Sequence, residues 1–283
     1  MLKTRILTAL VILPIVLFVL FVFPGWAWAL FTLAIALAGC WEWSRLCQLQ
    51  TRGILVYLLL SGVIAALIFI AYWRTPPFHF DTMAFGAFII AAAFWLIVAP
   101  AWLAKNWRPR SSALGAAVGW IVIFPTSLSL ILLREENPWL LLTFAVIVWI
   151  ADIAAYFVGK AFGRHKLAPS ISPGKTIEGA LGGIGGVAAY FFVWQALTRQ
   201  SIAHGEVWAS ALHAQGLWLL AFFLLLACIS VLGDLFESWM KRGAGLKDSS
   251  ALLPGHGGIL DRIDALTSTL PIAGLYIMLM PRP

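Results

Sequence analysis

The chain has 283 residues, of which 62% are hydrophobic and 11% charged, with 15 tryptophans and a formal net charge of +7. So few charges cannot cover a water-facing surface of this size, which excludes a soluble globular enzyme and makes lipid the solvent for most of the chain. The positive balance has no soluble basic patch to belong to, so it argues for loops on one side of a membrane and against a nucleic-acid partner.

Runs of about 20 apolar residues cross a bilayer as helices, and nine are present, at 6–23, 26–43, 54–73, 83–103, 113–133, 139–158, 177–197, 216–235 and 263–280. Lys3, Arg5 and the tripeptide Ala27-Trp28-Ala29 imitate a signal peptide. The apolar run from Ile6 to Phe23 is too long for one, and Pro24-Gly25 leads at once into a second run, which fits a retained helical hairpin. Pro76-Pro77, Pro109-Arg110 and Asn137-Pro138 punctuate the later segments. The expected fold is all-α, a polytopic membrane protein with about nine transmembrane helices and no soluble domain. About five spans lie in residues 1–138 and about four, with two charged loops, in 139–283. Cys40, Cys47 and Cys228 show no CxxC spacing and are read as buried or idle thiols, with neither disulfides nor zinc. Trp26, Trp28, Trp73, Trp102, Trp107 and Trp139 lie near span ends, where aromatic rings anchor helices at the interface.

Placing the N-terminus inside and alternating across nine spans puts fifteen of the Lys and Arg residues on inside segments. Only Arg74, Arg134, Arg199 and Arg282 fall outside. That bias sets the orientation, since basic residues mark cytoplasmic loops. Glu42, Asp152, Glu178, Asp234, Glu237, Asp248, Asp261 and Asp264 then lie in inside loops or the inner portions of spans. Asp152 and Asp234 are costly in hydrocarbon and are expected to face a polar cavity open to the cytoplasm.

Two inside stretches are the richest in ionisable groups: DIAAYFVGKAFGRHKLAPSISPGKTIEG (152–179) and GDLFESWMKRGAGLKDSSALLPGHGGILDRID (233–264). Carboxylates interleave with Lys175, Lys241, Arg242, Lys247 and Arg262, a mixture that suits a phosphate polyanion held partly by a divalent cation and partly by ion pairs. The plainer alternative is a set of salt bridges tying the two loops together. Gly255, Gly257 and Gly258 around His256 allow a close backbone approach, and Asp261 and Asp264 share one helical face, as two metal-binding carboxylates would. SPGKT (172–176) imitates a nucleotide P-loop, but Pro169 stands where that pattern needs glycine. What remains is a turn that offers Ser172, Lys175 and Thr176 to a phosphate, or caps a helix. His256 is read as a substrate contact or a loop histidine. His79, His165, His204 and His213 have no partner spacing.

Ser238-Trp239-Met240-Lys241-Arg242, then Lys247-Asp248, then LLPGHGGILDRID resembles the signature of the phosphatidate cytidylyltransferases, and the 152–179 stretch is similar to that family as well. The likeness covers residues 139–280, while the earlier spans share only hydropathy with it. It implies transfer of a cytidylyl group from CTP to phosphatidic acid, giving CDP-diacylglycerol and pyrophosphate with a divalent metal, usually Mg2+, a second cation being left open. Under that resemblance Asp234, Asp261 and Asp264 hold metal, and Asp234, Asp261 and Lys175 carry the catalysis. Ser172, Thr176, Lys241, Arg242, Lys247, Asp248, His256 and Arg262 bind substrate. It also implies an integral protein of the bacterial inner membrane, with membrane lipid as a partner and the site on the cytoplasmic side; a homodimer is left open. A secondary transporter would place its acids at mid-membrane in paired halves. A CTP-dependent lipid kinase would move the γ-phosphoryl group. A CDP-alcohol phosphotransferase would need a DGxxAR stretch, which is lacking.

Overall fold

The computed structural model describes residues 2–74, 78–107 and 111–280. Arg108, Arg110 and Arg282 of the charge count, and the Pro76-Pro77 and Pro109-Arg110 separators, lie outside the described residues. The helices are α1 (Leu2–Val22), α2 (Gly25–Leu46), α3 (Thr51–Trp73), α4 (Phe78–Ala93), α5 (Ala99–Ala104), α6 (Ser112–Glu136), α7 (Pro138–Phe162), α8 (Ile177–Ala203), α9 (Val207–His213), α10 (Leu217–Gly243) and α11 (Leu260–Leu279). A π-helical turn, Phe94–Val98, joins α4 to α5 without a break in the span. It lies where the rings of Phe94, Trp95 and Trp102 pack edge-on against Phe236 of α10.

Each of the nine expected spans meets one long helix or the continuous α4–α5, but the count of membrane crossings needs correction. Among the described residues seven helices are long and apolar enough to cross a membrane. Among the described residues α1 contributes the shorter apolar stretch Leu13–Val22. In α11 the first turns carry Asp261, Arg262 and Asp264, and Thr267, Ser268 and Thr269 follow. A helix so polar is stable here because protein surrounds it: α11 packs on α10, α6, α4, α7 and α2. The Ser268 hydroxyl donates to the Ile229 carbonyl at 2.9 Å, and Gly233 of α10 lies against Ser268 and the Asp264 backbone. Small residues that let backbones approach are how helices associate without a hydrophobic drive between them. The periphery is the reverse, with Leu55, Leu59 and Leu67 of α3 and Leu181, Phe192 and Leu197 of α8 exposed as a lipid-facing surface. Of the thiols Cys40 is buried, Cys47 half-buried and Cys228 exposed, and all three are free, in keeping with the reading of buried or idle thiols.

Contacts between loops divide the bundle into two ends. At one, Gln48 donates to the Ala244 carbonyl at 3.4 Å and Trp239 to Asn106 at 2.7 Å. At the other, Arg134 donates to the carbonyls of Leu20 and Phe23, Tyr72 to Glu135 at 2.9 Å and Asn137 to Glu206 at 3.4 Å. Successive connections therefore alternate between ends. The fold is all-α as expected, with one short antiparallel hairpin of β1 (Lys166–Ala168) and β2 (Ser172–Thr176) set between helices. Pro169 and Pro173 account for it, since proline removes the donors and clashes with the turns a helix would need.

Candidate active site

The hairpin folds over the junction of α7, α8 and α10. Glu178, in the first turn of α8, accepts from the backbone N–H groups of Arg164 at 3.1 Å and His165 at 3.2 Å, and meets His165 Nδ1 at 2.6 Å. Thr176 is the N-cap of α8, accepting from Gly179 N–H at 3.1 Å. Gly159, Gly163 and Gly179 surround it so closely that a Cβ on any of them would press on the threonine. Between its pairings with Lys166 and Ala168 the register of β2 shifts. A bulge of this kind re-aims a side chain, and here the segment carries Pro173, Gly174 and Lys175.

Beneath the hairpin is a cavity of about 430 Å³, whose wall includes Asp152, Gly159, Ser172, Lys175, Thr176 and Asp234. Lys175 Nζ lies 2.5 Å from Asp234 Oδ2. Asp152 stands across from this pair on α7 and is exposed to the opening. Asp152 and Asp234, expected to face a polar cavity, both line this one. Thr176, expected to offer its hydroxyl to a phosphate, uses that oxygen as a helix cap.

A second cluster lies between α10 and α11. Lys241 Nζ is 2.5 Å from both Glu237 Oε2 and Asp261 Oδ1. The other Asp261 oxygen accepts from Ser249 N–H at 2.9 Å, the Ser249 hydroxyl at 2.9 Å and Gly258 N–H at 2.8 Å. Its side chain is only 4% exposed. Asp261 does not line the cavity; it ties the 249–258 loop to Lys241, and its oxygens are engaged by protein donors. Gly257, with φ +81°, lies close against it, as the glycine run around His256 anticipates. Asp264, one helical turn on, is within electrostatic reach of Asp234 and Asp152 on the cavity side and of Glu237 on the other. It joins the two clusters.

Charge decides what this arrangement can hold. The carboxyls of Asp152, Asp234, Glu237, Asp261 and Asp264 are met by direct ion pairs from Lys175 and Lys241 alone among the described residues. Among the described residues neither Asp152 nor Asp264 has a basic group at ion-pair distance. On the cavity wall Asp152 and Asp234 stand with Lys160 and Lys175. Among the described residues no three acidic, histidine or cysteine side chains converge on one point.

The remaining residues stand apart from the cavity. Arg242, Lys247, Asp248 and Arg262 are exposed, and Arg242 donates to the Leu246 carbonyl at 3.3 Å. His256 is half-buried, its N–H closing a turn onto the Leu253 carbonyl at 2.8 Å. Two acids that the sequence left without a role are central: Asp152 on the cavity wall, and Glu42 of α2, fully buried beneath the 249–260 loop. The signal for both was the same, a lone carboxylate within an apolar span.

Comparison with known proteins agrees over the full length of the bundle. Residues 3–280 match the model of the Cytidylyltransferase family. The chain is 38% identical over 280 residues to the phosphatidate cytidylyltransferase of Pseudomonas aeruginosa, covering 96% of this chain and 95% of that one. It is 34% identical over 294 residues to the enzyme of the same name from Haemophilus influenzae, covering 98% of each. The protein of that name from Brucella suis is 36% identical over 292 residues, with 100% and 95% covered. With its helices, its hairpin and its carboxylate-lined cavity all inside the matched span, the chain belongs to the cytidylyltransferase family.

Proposed function

We infer that this protein transfers the cytidylyl group of CTP to phosphatidic acid, forming CDP-diacylglycerol and pyrophosphate for phospholipid synthesis. The observation that carries the reading is the cavity wall, where Asp152 and Asp234 face one space with Lys160 and Lys175, and that space opens beside lipid-exposed helices. The names of the relatives agree with it.

In the reaction a phosphate oxygen of phosphatidic acid attacks the α-phosphorus of CTP, and the bond from that phosphorus to the pyrophosphate oxygen breaks. A phosphate monoester has its second pKa near ~6, so the nucleophile is already largely anionic and no strong base is needed. The barrier is repulsion between anions, which cations and in-line positioning relieve. Lys175 exchanges Asp234 for a phosphate oxygen and neutralises it, with Ser172 beside it on the wall. Asp234 and Asp264 are the residues that would hold Mg2+, with Asp152 adjacent; Asp261 would join them only where Lys241 releases its Oδ1. When bound, the ion supplies positive charge at the triphosphate oxygens. The reading places the protein in a bacterial inner membrane with the N-terminus and the cavity on the cytoplasmic side, where CTP is available.

The test is purified protein in detergent with CTP, phosphatidic acid and Mg2+, followed for pyrophosphate and a CDP-linked lipid. Release of CDP without pyrophosphate would mark γ-phosphoryl transfer and overturn the reading.

A further inference from the structure

Glu42 is an unusual residue for the early half of the chain. It sits near the end of α2, its exposure is 0%, and both of its oxygens are committed to residues more than 200 positions away in sequence. Oε1 accepts from the Ser250 hydroxyl at 2.5 Å and Ile259 N–H at 2.9 Å. Oε2 accepts from Leu260 N–H at 2.7 Å and the Ser249 hydroxyl at 3.0 Å. Ile259 and Leu260 open α11, so the carboxylate lies at the positive end of that helix, where its charge is favourable. Gly258 packs so tightly on it that a side chain there would collide with Glu42 and Ser249.

The Ser249 hydroxyl also reaches Asp261 Oδ2 at 2.9 Å. It has one proton and two carboxylate acceptors, so it links Glu42 directly to Asp261. From Asp261 the contacts run to Lys241, and Asp264 lies one turn along the same helix.

We propose that Glu42 is a positioning residue for this site: by binding Ser249, Ser250 and the first N–H groups of α11 it sets the orientation of Asp261 and Asp264. This rests on the function proposed above and extends it to a helix of the first half of the chain. Glutamine has the same reach, but in either orientation its amide NH2 would face Ile259 N–H or Leu260 N–H, each of which a carboxylate oxygen accepts and an NH2 group cannot.

The test is Glu42→Gln, compared with the unaltered protein in detergent in two ways. In ligand-free protein, amide hydrogen exchange at Ile259 and Leu260 is expected to quicken at least tenfold while α8 amides stay unchanged. In turnover, kcat is expected to fall at least tenfold with KM for CTP within about threefold, since Lys175 and the cavity wall are untouched. Unchanged exchange, or a lowered melting temperature with kcat intact, would overturn the proposal. If Glu42→Gln does not purify as a folded protein, Ser249→Ala, which cuts the link to Asp261 and leaves Glu42 on the α11 N–H groups, must show the same fall in kcat; normal turnover would overturn the proposal. Should the unaltered protein make no CDP-linked lipid, the proposed function fails, while the exchange measurement still decides the role of Glu42.

Discussion

Replacing Lys175 by alanine removes an ammonium 2.5 Å from Asp234 at a place where the two side chains are 25% and 27% exposed. An ion pair so open to water contributes about 0–1 kcal/mol to stability, which moves the melting temperature of a chain this size by no more than about 4 °C. A charge-assisted contact to a substrate phosphate is worth about 1.5–3 kcal/mol, equal to roughly 10- to 150-fold in kcat/KM. The two roles therefore separate in a single variant. Pyrophosphate release measured against CTP at saturating phosphatidic acid should show the large loss in Lys175→Ala, and a thermal melt in the same detergent should show almost none. Lys175→Arg should recover part of the activity because it restores the charge in a different shape. A kcat/KM within twofold of the unaltered protein would refute the reasoning and leave Lys175 as a partner of Asp234 only.

Asp261→Asn perturbs a pair buried far more deeply, and breaking such a pair by removing one partner costs about 3–5 kcal/mol; the variant should lose turnover and melt well below the unaltered protein. A normal melt with abolished turnover would instead point to Asp261 acting on metal or substrate. For orientation, His204→Cys in a cysteine-free background should react with an impermeant thiol reagent added to intact cells, and His165→Cys should react only after the membrane is opened; the opposite pattern would invert the topology. His213 meets Thr198 at 2.7 Å, and burial, with Arg199 adding to it, holds its imidazole below the ordinary 6.5. The unfolded chain then binds a proton that the folded one resists, so stability is present above that pKa and falls as pH drops through it. The melting temperature should decline from pH 7 toward 5, less steeply in His213→Gln; identical slopes would remove His213 as the cause.

Helix positions were legible because hydropathy and the proline breaks report directly on which segments meet lipid, and every long helix coincides with an apolar run. The hairpin at 166–176 was not, because its strands are too short for an alternating pattern and its pairing is fixed by Glu178 from the next helix. Lys175, Asp234 and Ser172 could be read as a group from residue type and side of the membrane. The division of labour among the acids could not. Asp261 and Asp264 are equivalent in a helical projection, yet Asp261 is enclosed by Lys241 and loop donors while Asp264 is within electrostatic reach of Asp234. Glu42 escaped for a different reason: its partners are remote in sequence, and no local pattern around Trp41-Glu42-Trp43 announces them.

The hairpin over the cavity has a consequence for where the chain can vary in length. Lys175 takes its place from below, through the Thr176 cap and the pairing of Lys166 with Thr176. Pro169 and Ser170, at the tip, are exposed and lie beyond those anchors. Extra residues inserted at the tip would lengthen the turn and leave Lys175 over Asp234. One residue inserted between Arg164 and Lys166 would slip the strand register and turn alternate side chains to the opposite face, separating Lys175 from Asp234 without altering either residue.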